Sequence, residues 1–176
     1  MNIPTERQCF ELLEKYKVPG NVVKHSMLVD RVAMHIGKKM AEKGVPINLR
    51  LLHAAALLHD IAKIQCLGKK EMDHAAEGRL LLEKEGFPEV GAVVETHMLS
   101  DITNNKTTTW ERKILNYADK RAGDNIVSLE KRFAYIRKRY GKKFAADIDA
   151  AEPALKELEK EIFSLIGEKP YSVEKI

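Results

Sequence analysis

Four histidines and two aspartates interrupt otherwise apolar or cap-like segments of this chain, and they are the side chains with chemistry to offer. His59-Asp60 follows Ala54-Ala55-Ala56-Leu57-Leu58. His25 stands among Val22, Val23, Met27 and Leu28. His74 follows Asp73, His97 ends the run Val93-Val94-Glu95-Thr96, and Asp119 closes Ile114-Leu115-Asn116-Tyr117-Ala118. A carboxylate in a buried helix is costly unless it is paired or binds a metal. Taken singly, Asp60 fits a buried ion pair or a cap as well as it fits a ligand, and each histidine fits a hydrogen-bonded core or surface group. As a set they point to a cation: imidazole with carboxylate suits Fe, Mn, Zn, Ni or Co, with Mg less favoured. An ion so held can make hydroxide available from water at neutral pH.

Three cations lie close by in sequence. Lys63 is about one turn beyond His59-Asp60, where an ammonium can hold a phosphate as a point charge. Lys120 and Arg121 follow Asp119 and are read either as phosphate contacts or as solvated groups. Asp60 and Lys63 are thus expected to act in catalysis, and Lys63, Lys120 and Arg121 in substrate binding. His35, beside Gly37-Lys38-Lys39, reads as a surface residue, and His53 as a core or supporting group.

The elements that must position these residues read as consecutive helices. Thr5 caps a helix to Tyr16, and Pro19-Gly20-Asn21 punctuates the chain before a long helix from 22 to 43, ended by Gly44. Asn48 caps Leu49 to Ile64, apolar nearly all round and therefore the central buried helix. Asp73 caps His74 to Glu85, Pro88 opens a short helix to Met98, and 99–109 is a polar loop. Further helices are expected at 110–121, 128–140 and 147–166, with a loose tail at 167–176. No strand alternation or internal repeat appears. The fold class expected is all-α, a helical bundle forming a single domain over 1–176. Its motif region is 20–125, and C-terminal helices occupy 126–166.

Composition agrees with that reading. The 176 residues are 44% hydrophobic and 32% charged, ordinary globular proportions. The formal net charge of +4 suits an anionic small substrate and falls short of a nucleic-acid signature. Basic residues do cluster: Lys131 to Lys143 holds seven and no acid, either a solvated face or a phosphate or RNA contact surface. Cys9 and Cys66 lack metal or redox spacing and fit free thiols in a reducing compartment. No stretch approaches the ~18 consecutive apolar residues of a membrane span. The expectation is a cytoplasmic protein with no membrane partner, its oligomeric state left open. Without a G-x-S-x-G elbow or a Walker loop, serine hydrolase and P-loop chemistry fall away.

The order His25, His59-Asp60, Asp119 resembles the H…HD…D signature of the HD superfamily of metal-dependent phosphohydrolases. Ala55-Ala56-Leu57-Leu58-His59-Asp60-Ile61-Ala62-Lys63 looks like that family's central helix, with Ala62 where glycine is common. Asp73-His74-Ala75-Ala76-Glu77-Gly78 is similar to its H-x-x-x-G segment, and Tyr117-Ala118-Asp119-Lys120 to its closing motif. The likeness covers about residues 20–125. It implies an HD-domain-like bundle in which His25, His59, Asp60 and Asp119 bind one divalent ion. His74 and His97 would hold a second ion, bridged by Asp60, as in HDIG-type members. His97 stands alone before Met98 where some relatives have two histidines. A glycine-tyrosine-proline element is missing, which argues against the cyclic di-GMP phosphodiesterase branch.

The function expected is hydrolysis of a phosphoester or phosphoanhydride of a nucleotide or related small phosphate compound, by metal-activated hydroxide. Dinucleoside tetraphosphatase and mononucleotide phosphatase activities both fall within it. Two alternatives compete: a non-catalytic module that binds nucleotide or RNA, and an HD-type oxygenase with a di-iron centre.

Overall fold

A computed structural model describes residues 1–68 and 73–176. Among the described residues seven α-helices carry the fold: α1 (Glu6–Lys15), α2 (Gly20–Glu42), α3 (Leu49–Leu58), α4 (His74–Lys84), α5 (Pro88–Val94), α6 (Trp110–Arg121) and α7 (Leu129–Ile166). Short 3-10 helices lie at Leu99–Ile102 and Pro170–Lys175. The described residues contain no β-strand beyond one isolated bridge, Ala122 to Ile126. The all-α expectation holds.

Local chemistry sets most helix starts. The Thr5 hydroxyl accepts from the Gln8 amide while the Gln8 side chain accepts from the Thr5 amide, a reciprocal box at the head of α1. Asn48, Asp73, Thr109 and Ser128 cap α3, α4, α6 and α7 through their side-chain oxygens. Helix α3 is the centre of the molecule. Leu51, Leu52, Ala54, Ala55, Ala56, Leu57 and Leu58 are all buried, with α1, α2, α5 and α6 packed around it. Helices α4 and α5 pack as a pair whose approach is set by glycines. A Cβ on Gly91 would stand 2.9 Å from the Arg79 carbonyl oxygen, and one on Gly78 would stand 3.2 Å from Val94.

Several boundaries differ from the sequence reading. Helix α3 stops at Leu58, not Ile64. The His59 ring donates from Nδ1 to the Ala56 carbonyl at 2.9 Å, the oxygen that the Asp60 amide would need to extend the helix. From there the chain tightens into turns closed by Ile61 on Leu58, Lys63 on Asp60, Gln65 on Ala62 and Leu67 on Ile64. Helix α5 stops at Val94, not Met98, beside the same device: His97 Nδ1 donates to the Val94 carbonyl at 2.7 Å. The two C-terminal helices are one element, α7, kinked at Phe144 (φ −126°, ψ 28°). The 99–109 segment opens with a 3-10 turn. The tail is not loose: residues 170–175 form a 3-10 helix whose Val173 is buried.

Candidate metal centre

Five chain segments deliver the six His/Asp side chains to one place. Helix α2 brings His25, the end of α3 brings His59 and Asp60, the start of α4 brings His74 and the end of α6 brings Asp119. The turn after α5 brings His97. His59 and His97 share one local arrangement. In each, Nδ1 faces a main-chain carbonyl three residues back, and a carbonyl only accepts. Nδ1 therefore carries the proton, and Nε2 presents a lone pair to the interior.

Asp60 is the hub. Its Oδ1 lies 3.3 Å from His74 Nε2 and 3.7 Å from His97 Nε2. Its Oδ2 lies 3.5 Å from His59 Nε2 and 4.0 Å from His25 Nε2. Asp119 Oδ1 adds a second carboxylate oxygen on the His25 side, 3.0 Å from His25 Nε2 and 3.7 Å from His59 Nε2. His25, His59 and Asp60 form one compact donor group that could hold a metal ion, and Asp60, His74 and His97 form another. The two share only Asp60, one oxygen turned to each.

The surroundings suit a cation. His59 Nε2 is buried and has no hydrogen-bond partner, an orphan acceptor of the kind a metal ion satisfies. His74 and His97 bring their Nε2 atoms to 3.0 Å, and the His97 nitrogen is a lone pair, so a proton or a metal ion must lie between them. Burial pushes the His59 imidazole down to about 3, leaving it neutral, the form that ligates. Burial alone would raise both carboxyl groups. Instead His74 and Lys63 hold Asp60 well below the usual carboxylate range, and Lys120 with His25 does the same for Asp119. Both carboxylates are therefore ionised.

The three cations separate. Lys63 reaches Asp60 Oδ2 at 2.6 Å from a half-exposed position. Burial would lower its ammonium pKa, but the facing Asp60 carboxylate outweighs that and raises it. Lys63 thus stands at the open side of the cluster. Lys120 is not solvated. It is buried, pairs with Asp119 Oδ2 and donates to the His97 carbonyl at 2.9 Å, so its ammonium positions two of the six side chains. Arg121 is neither solvated nor near the cluster. It is fully buried on the other side of α6, where it donates to Tyr117, Glu159, Glu174 and the Val127 and Pro170 carbonyls. Two positions beyond Asp119 is ~200° around a helix, which turns Arg121 away from the site. Its expected phosphate contact is replaced by a clamp on the C-terminal segment.

His35 and His53 fall outside the cluster. His35 Nε2 pairs with Glu168 at 2.9 Å and His53 Nδ1 with Asp30 at 2.8 Å. Sequence reading overlooked Asn116. Buried on α6, it donates to the carbonyls of Thr96 and Met98 at 3.0 and 2.9 Å, bracketing His97. Its signal was an amide inside an apolar run, four residues before Lys120 and three before Asp119.

Comparison with known proteins adds three relatives. The chain is 29% identical to tRNA (cytidine(56)-2'-O)-methyltransferase of Picrophilus torridus, over 94% of this chain and 48% of that protein. It is 31% identical to the protein of the same name from Thermoplasma volcanium, over 94% and 49%. It is 28% identical to dihydroneopterin 2',3'-cyclic phosphate phosphodiesterase of Methanocaldococcus jannaschii, over 70% and 54%. The chain thus spans about half the length of these relatives. No solved structure matches. The model of the HD domain matches residues 22–136, from the start of α2 into α7, and encloses all six side chains of the cluster. This chain belongs to the HD domain family.

Proposed function

We propose that the chain is a metal-dependent phosphohydrolase acting on a phosphoester or phosphoanhydride of a nucleotide or related phosphate compound. One observation carries this reading: Asp60 turns one carboxylate oxygen to His74 and His97 and the other to His25 and His59. That is the donor arrangement for two cations sharing a bridging carboxylate. His25, His59, Asp60 and Asp119 would hold one ion, and Asp60, His74 and His97 the other. Bound there, divalent transition-metal ions supply charge to neutralise phosphoryl oxygens and lower the pKa of water. The chain does the rest. Main-chain carbonyls fix the His59 and His97 imidazoles in the ligating tautomer, Asn116 and Lys120 hold the His97 segment against α6, and Lys63 offers an ammonium to an incoming phosphate. A membership in the HD family and a phosphodiesterase among the relatives support the same class. The test is elemental analysis of protein purified without added metal, followed by a nucleotide and phosphodiester panel with Mn, Fe, Co or Ni. A fully loaded centre that hydrolyses nothing on the panel rejects the proposal.

The two tRNA methyltransferase relatives support a second reading, an RNA-binding module without hydrolysis. It separates from the first by Asp60→Ala, which would leave RNA retention intact while abolishing any turnover.

A further inference from the structure

The first half of α7 is a basic, aromatic rail that the reading above leaves without a task. From Lys131 to Ala146 there is no acidic residue. Leu129, Phe133 and Ile136 bury the inner seam of the helix against the core. The same seam continues, at helical spacing, to Tyr140 and Phe144, which emerge 45% and 40% exposed. The outer face repeats Lys131, Tyr135, Lys138 and Lys142 at intervals of four, three and four, with Tyr135 47% exposed. Arg137 is neutralised by Asp149 and Glu152. Lys131, Lys138, Lys142 and Arg139 have no carboxylate partner among the described residues, and Arg139 lies instead over the Tyr135 and Tyr140 rings.

The rail leads to the His/Asp cluster. Helix α7 packs on α2 and α6, the elements that carry His25 and Asp119. Lys63, half-exposed, contacts Asp60 at the open side of that cluster.

We propose that the rail of α7 binds single-stranded RNA and leads its phosphates to Lys63 and the centre. This rests on the hydrolytic reading and names its substrate class as an oligonucleotide in preference to a free nucleotide. Unpaired bases stack on exposed aromatic rings while lysines track the backbone, and duplex bases cannot do so. The span from Lys131 to Lys142 is about 17 Å of helix, room for a few nucleotides. A membrane surface fits less well, because a helix lying on lipid needs a free apolar face, and here Phe133 and Ile136 give that face to the core.

The experiment titrates the chelator-treated full chain into a fluorescein-labelled single-stranded RNA of about 12 nucleotides and follows anisotropy. Parallel arms use the same sequence as a duplex, and vesicles of phosphatidylcholine with phosphatidylserine. The expected result is single-strand binding whose log K falls with log salt by about 0.7 per phosphate contacted. Combined K138E, R139E and K142E should weaken it at least tenfold, and Tyr140→Ala severalfold. The triple variant should keep its melting temperature and, once reloaded with metal, its hydrolysis of bis(p-nitrophenyl) phosphate. Unchanged RNA affinity in the triple variant overturns the proposal, as does equal affinity for duplex or preferential capture by vesicles. Rail-dependent RNA binding by a metal-loaded wild type that cleaves neither the diester nor the RNA sinks the hydrolytic reading and, with it, delivery to the centre.

Discussion

The ammonium of Lys120 donates to the main-chain carbonyl of His97 at 2.9 Å and pairs at the same time with the Asp119 carboxylate. One cation therefore ties together residues from opposite halves of the cluster, the His97 backbone and the Asp119 side chain. Its removal leaves a buried carboxylate uncompensated, a loss of about 3–5 kcal/mol when nothing replaces the charge. Lys120→Met is expected to destabilise the metal-free protein by that order and the metal-loaded protein by much less. Thermal melts with chelator and with excess Mn decide it. Equal losses in the two states would separate Lys120 from the electrostatics of the centre.

Because the two donor groups share only Asp60, their losses should be unequal. His74→Ala is expected to reduce bound metal from two ions to one, and Asp60→Ala to remove both. Turnover should fall to background in the second variant. Plasma emission spectrometry on each variant gives the stoichiometry directly, and an unchanged metal content in His74→Ala contradicts the two-ion arrangement.

The metal-free protein should weaken in mild acid. The folded His59 imidazole titrates at about 3, against about 6.5 for an exposed histidine. Between those values the unfolded chain takes up a proton that the folded chain refuses. Stability is then fully present above about 6.5 and declines as pH falls toward about 3. Below the ordinary aspartate range, Asp60 and Asp119 add to the decline, since folding depresses both. Urea melts of chelated protein between pH 8 and pH 5 should show it, and His59→Gln should flatten the slope.

Two glycines should respond with opposite signs. A Cβ on Gly91 meets the Arg79 backbone at 2.9 Å, so Gly91→Ala forces α4 and α5 apart at about 1–3 kcal/mol. At Gly141 the nearest atom is Arg137 Cβ at 4.0 Å, and Gly141→Ala should stabilise α7 by about 0.5–1 kcal/mol. Denaturant midpoints distinguish the two.

Arg121→Met should release the C-terminal segment without touching the centre. Glu159 and Glu174 lose their shared partner, and a drop of several kcal/mol is expected. Substrate KM of the remaining folded protein should stay at the wild-type value. A raised KM with unchanged stability would return Arg121 to phosphate binding.

What the sequence disclosed and what it hid divide along the range of the interactions. Caps at Thr5, Asn48 and Asp73 are local, and all three are where their residue types place them. The six His/Asp side chains stood out because apolar neighbours make ionisable groups conspicuous. The end of α3 was hidden because Ile61 and Ala62 remain buried, so the apolar pattern continues after the helix has stopped. There the His59 ring takes the Ala56 carbonyl and the chain tightens into turns. The positions of Asn116, Lys120 and Arg121 were illegible for another reason. Each depends on which distant segment docks beside α6: residues 96–98 on one side and the tail from Pro170 to Glu174 on the other.

His25 and Asp119 touch across 94 residues of chain. During synthesis, Asp119 leaves the ribosome long after His25, and no earlier portion of the polypeptide can offer the complete set of donors. The Asp119 oxygen therefore joins last, only in chains that have already brought α2 and α6 together, whereas Asp60, His74 and His97 are all made earlier. A truncated or stalled product ending before α6 would lack that oxygen and the buried Lys120 beside it.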